Sequence, residues 1–77
     1  MPLPSTALTA LQNCRTELRA ALADARYAAP KLYGARATRT LELAEMLADA
    51  IGWCERLCFV VEGDLRAEQA DGLHHLG

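Results

Sequence analysis

Cys54 and Cys58 stand four residues apart, a spacing that puts both sulfurs on one face of a helix. Thiolates so placed could share a soft metal ion, with Cys14, His74 or His75 completing the site. Three features weigh against that chemistry. Zinc knuckles favour the tighter Cys-x2-Cys spacing, and the adjacent His74 and His75 point in different directions on a helix. Cys54 and Cys58 also share their face with Leu47, Ile51 and Val61, where cysteine commonly packs as a small hydrophobe. Core packing is the preferred reading; a metal or thiol sensor through Cys54 and Cys58 is kept as an alternative, and no cofactor is expected. The carboxylates of Glu42, Glu45 and Asp49 recur on one helix face as well, yet general acid–base catalysis needs a pocket in addition to a pair. The sequence contains no Ser/His/Asp order, glycine-rich phosphate loop or HExxH motif. It reads as a non-enzymatic protein with no small-molecule substrate.

Two elements carry these residues. Ser5 or Thr6 offers a hydroxyl cap for a first helix, and the Ala, Leu, Arg and Glu content that follows favours helix as far as Ala29. Over about 5–29, Leu8, Leu11, Leu18, Leu22 and Ala25 form one narrow stripe, with Cys14 at its margin. Pro30 opposes helix at its own position and at Ala29, so Pro30 to Arg36 is the expected connection, with Gly34 taking a conformation costly to other residues and Leu32 and Tyr33 tucked over the end of the helix pair. The second helix is expected over about 38–62, capped by Thr38 or Thr40, with Gly63 its first stop. Beyond that, 64–71 reads as a short helical or frayed piece, if helical either continuous with the second helix or jogged away from it. Residues 1–4 form an N-terminal arm and 72–77 a flexible tail, so that 1–77 is a single all-α domain, an antiparallel helical hairpin.

The two helices are unequally apolar. On the second, one seam runs Ala44, Leu47, Ile51, Cys54, Cys58 and Val61, and a second runs beside it through Leu43, Met46, Ala50, Trp53, Leu57 and Val60. Together they make an arc of roughly 180°, where a surface helix typically shows a stripe of about 100°. One leucine stripe covers one seam. Burying a large apolar side chain is worth about 1.5–3 kcal/mol, so leaving Met46, Trp53, Leu57 and Val60 wet forfeits an amount comparable to a small domain's whole stability. A second copy completing a four-helix bundle is the favoured cover, a different helical protein comes next, and the tail from Leu65 to Leu76 folding back is third. Leu41, Ala48 and Phe59 form a smaller patch off the main arc. Arg15, Arg19 and Arg26 flank the first stripe, while Glu55 and Glu62 flank the second helix's seam, an arrangement able to set antiparallel register.

Composition narrows the partners. Among 77 residues the net charge is −2, and the eight Lys and Arg are scattered; without a basic stripe, nucleic acid is not expected. No uninterrupted apolar run of membrane-spanning length is present, since Glu42, Glu45, Asp49, Glu55 and Arg56 break the best candidate. The start of the chain lacks a basic region followed by an apolar core, so no signal peptide is read there. Three cysteines, an odd number, fit reduced thiols. The expected location is the cytoplasm.

The segment ELRAALADARYAAPKLYGARATRTLELAEMLADAIGWCERL joins an Ala/Leu/Arg-rich helix through a short glycine-bearing connection to a more apolar helix. In that layout the chain resembles the small two-helix co-chaperones of type III secretion, which help hold needle subunits in the cytoplasm before export. The resemblance implies a non-enzymatic partner that forms a heterocomplex through its helices. The expected function is a cytosolic protein–protein interaction module, adaptor or co-chaperone-like, that binds through Leu43, Met46, Ala50, Trp53, Leu57 and Val60. The alternative is a homodimeric small regulator such as an antitoxin or anti-activator.

Overall fold

The protein's structure, a computed structural model, describes residues 4–76, with side chains for residues 5–69. The first helix, α1 (Pro4–Ala28), opens on a proline, whose missing amide is one the first turn of a helix leaves unused. Ser5 and Thr6 lie inside that turn rather than ahead of it, and Ser5 contributes a carbonyl that accepts a hydrogen bond from Thr9 Oγ1 at 3.1 Å. Pro30 then acts as the sequence suggests. The chain tightens into a 3-10 turn at Ala29–Lys31, Leu32 becomes extended, and its amide donates to the Ala29 carbonyl at 3.2 Å.

The second helix, α2 (Gly34–Leu76), differs from expectation at both ends. Gly34 has φ +61°, a left-handed geometry that glycine adopts without a Cβ penalty. That residue completes the reversal, so helix begins there instead of at Thr38 or Thr40. The hydroxyls of Thr38 and Thr40 point back along α2, donating to the carbonyls of Gly34 and Arg36 at 3.3 and 2.8 Å; they are interior residues, not caps. At the other end Gly63 does not stop the helix. An interior glycine costs about 1 kcal/mol relative to alanine, and the good helix formers from Leu65 to Ala70 outweigh it. Residues 72–76, expected as a flexible tail, continue α2. Residues 1–3 and Gly77, which complete the expected arm and tail, lie outside the described residues, as do the side chains of His74 and His75.

The helices pack antiparallel along small residues. Leu22 and Ala25 of α1 meet Ala44 of α2, with Leu47 and Ile51 half-buried against them; Ala29 is buried at the turn, and Cys54 and Cys58 toward the open end. Alanine and cysteine at such positions suit the short end of the usual 8–10 Å interaxial range. Tyr33 is 88% exposed and does not cover the helix ends as expected. The turn is closed by the buried Ala29 and the half-buried Leu32 instead.

The result is a rod. The extents are 65 × 18 × 15 Å and the radius of gyration is 18.2 Å, where a compact fold of this length would have a radius of about 11 Å. At 1.5 Å per residue the 25 residues of α1 reach about 37 Å and the 43 of α2 about 65 Å. α2 therefore outruns the described α1, and from Arg66 to Gln69 every side chain is exposed.

Candidate functional site

α2 turns about 100° per residue, so its two seams face directions about a right angle apart. The seam of Ala44, Leu47, Ile51, Cys54, Cys58 and Val61 meets α1 and is buried or half-buried throughout. The other seam is open. Met46 is 66% and Trp53 63% exposed, Leu43, Leu57 and Val60 are each half or more exposed, and Ala50 is half-buried. Because α2 runs straight on through Leu76, the segment after Leu65 does not fold back over this line. The structure thus places all six sequence-chosen residues on one continuous face, with no element of the described chain on top of it.

One neighbour of Trp53 was readable in the sequence only as spacing. Arg56, three residues on, lies with its guanidinium 4.5 Å from the indole ring centroid and donates from Nε to the Gly52 carbonyl at 3.3 Å. This contact fixes one ring face against a cation and leaves most of the indole in solvent. Lys31 sits similarly over Tyr27, at 3.9 Å. Both pairs stand at i, i+3 or i, i+4 spacing, a signal that is present in the sequence.

On the opposite flank of the packed seam lie Leu41, Ala48 and Phe59, the last 74% exposed. Leu41 and Ala48 line a shallow depression together with Arg26, Ala44 and Glu45. Of the charges expected to flank the helix pair, Arg19 bridges to Glu55 across the hairpin at 2.7 Å, with both side chains about half exposed. Glu62 instead pairs with Arg66 one turn along α2, at 3.5 Å. Arg15 is half-buried at the edge of α1, and its Nε has no hydrogen-bond partner among the described residues.

Cys54 and Cys58 are buried, Cys58 to 2% exposure, while Cys14 is exposed. The Cys54 thiol donates to the Leu11 carbonyl of α1 at 3.2 Å. Burial pushes its pKa up from the ordinary 9.0, and the adjacent Cys14 and Cys58 push it the same way. A thiol held protonated is a poor nucleophile and a poor metal ligand. Among the described residues no group of three or more His, Cys, Asp or Glu side chains is placed to hold a metal ion, and no helix is long and apolar enough to cross a membrane.

Comparisons of the chain with protein-family models, with curated proteins and with solved structures give no match.

Proposed function

We propose that this chain is a non-enzymatic protein–protein interaction module of the cytosol, adaptor-like or co-chaperone-like, that docks a helical protein along the outer seam of α2. One observation carries this reading: Leu43, Met46, Trp53, Leu57 and Val60 form an unbroken apolar line, all half or more exposed. Exposed apolar patches of this kind mark interaction sites more often than they persist bare in a monomer. Regular spacing along one helix suits a groove-and-helix contact, in which anchors at i, i+3 and i+7 seat between partner side chains. The resemblance in layout to type III secretion co-chaperones supports the same class of activity. The half-dozen anchors include the only tryptophan, and aromatic residues dominate the energetics of such contacts.

The test is site-specific photocrosslinking in cells of the source organism. A benzoylphenylalanine replacing Trp53 is expected to trap a protein, while the same probe replacing the exposed Ala20, on the face of α1 turned away from α2, traps none. An adduct profile identical at the two positions, or none at either, would overturn the reading.

A further inference from the structure

We infer that the occupant of the outer seam is a second copy of this chain, lying antiparallel with α2 against α2 and with the two-fold axis between Ala50 and Trp53. This rests on the outer seam being a docking surface and names what docks. The seam line continues past its apolar part in both directions. From the start of α2 it reads Arg36, Arg39, Leu43, Met46, Ala50, Trp53, Leu57, Val60, Asp64, Glu68, basic at one end and acidic at the other. Between Arg39 and Asp64 the steps are four, three, four, three, four, three and four residues, an order that is the same read backward. A self-complementary surface needs that property, because a two-fold contact pairs residue i with j and j with i.

Turned end for end on itself, the line sets Arg39 opposite Asp64, Leu43 opposite Val60, Met46 opposite Leu57 and Ala50 opposite Trp53, each twice, and Arg36 falls beside Glu68. Opposite charges meet and the largest side chain meets the smallest, which lets the layers interdigitate. A parallel pairing would instead place Arg39 on Arg39, Asp64 on Asp64 and Trp53 on Trp53. Like charges so juxtaposed disfavour the parallel arrangement. All four charged residues are exposed in the single chain. Arg39 makes only an exposed contact with Glu42, at 3.1 Å, and among the described residues Arg36, Asp64 and Glu68 make no ion pair.

The elongated chain has surface in excess. It exposes 6109 Å², whereas a compact monomer of its mass exposes about 4,600 Å². Removing the approximately 800 Å² per partner of a standard stable interface would bring it toward the compact range. The pairing also gives use to α2's overhang, because Asp64 and Glu68 lie near or beyond the reach of α1 but within reach of the second copy's Arg39 and Arg36. Because the two seams of α2 face directions about a right angle apart, two hairpins joined in this way set both α1 helices on one side of the α2 pair, as in a four-helix bundle.

Sedimentation of the full chain, with charge exchange at one predicted contact, tests the inference. The wild type is expected to sediment as a dimer at concentrations up to about 100 µM, dissociating on dilution. Arg39→Glu and Asp64→Arg, with helix content verified by circular dichroism, are each expected to weaken the dimer about tenfold at low salt, since symmetry converts two attractions into two repulsions. The double variant is expected to recover most of the loss. It still lacks the Arg39–Glu42 contact, so recovery isolates the contact between chains. A monomer over the whole concentration range overturns the second copy as occupant, while a Trp53 photoadduct to a different protein would leave the docking surface standing. A dimer that the double variant fails to restore overturns the antiparallel register.

Discussion

At Cys54 the side chain has two relations that a cysteine on a solvated helix would lack: a sulfur-to-carbonyl hydrogen bond to Leu11 and a pKa raised by burial beside Cys14 and Cys58. The sign of the resulting pH effect follows from which state loses its proton first. In the unfolded chain the thiol ionises at its ordinary value of 9.0, whereas in the folded chain it holds the proton to higher pH. The Cys54 contribution is thus fully present below pH 9 and is lost as pH rises through the folded pKa. Urea unfolding between roughly pH 7 and 10 should show stability falling more steeply in the wild type than in Cys54→Ser, whose hydroxyl still donates to Leu11 but does not ionise there. Equal slopes would remove the raised pKa from the account. The same burial orders the thiols kinetically. Alkylation of the native protein should reach Cys14 quickly and Cys54 and Cys58 only as fast as the hairpin opens. Thiol counting by mass spectrometry checks this, and rapid labelling of Cys58 would contradict its packing.

At the scale of the helix, two glycines that look alike in sequence have opposite roles. Gly34 has φ +61° with open space where a Cβ would stand, so Gly34→Ala should destabilise by about 1–2 kcal/mol through backbone strain alone. Gly63 has ordinary helical geometry and equally open space, so Gly63→Ala should stabilise by up to about 1 kcal/mol. Chemical denaturation of the two variants beside the wild type checks the pair, and a shared sign would mean that the helix boundaries are misplaced. This contrast also explains what could be seen in advance. The stripe of Leu22 and Ala25, the seam of Ala44 and Ile51, and the excess line through Met46 and Trp53 are all fixed by a 3.6-residue period that local sequence displays. Gly34's left-handed conformation was legible from its place in the connection after Pro30, whereas Gly63, followed by good helix formers, does not announce locally that the helix runs on through it. The Thr38 and Thr40 hydroxyls were equally ambiguous, because the same group that caps a helix start can bond a carbonyl four residues back. The exchange of Glu62's partner from α1 to Arg66 belongs to the same class, since helix continuity past Gly63 is what brings Arg66 within reach.

At the scale of the whole molecule, a rod of 65 Å with few buried side chains has little core from which to draw stability. Among the described residues the hairpin buries three alanines, two cysteines and one leucine, so most of the large apolar groups that dominate folding energies in small domains are left outside. Stability should therefore depend on chain concentration if the outer seam is covered by another chain in the folded state. Trp53 separates the cases. In a lone hairpin its side chain is 63% exposed, and Trp53→Gln should shift stability by no more than about 0.5 kcal/mol, as surface substitutions usually do. In a bundle the same indole lies against Ala50 of the second chain, and its loss from both copies should cost several-fold more. Thermal unfolding of wild type and Trp53→Gln at two concentrations differing by about tenfold distinguishes these outcomes. The expected result is a wild-type midpoint that rises with concentration and a variant midpoint that is lower and nearly concentration-independent. A wild-type midpoint indifferent to concentration, matched by the variant, would mean that the hairpin stands alone with its tryptophan in water.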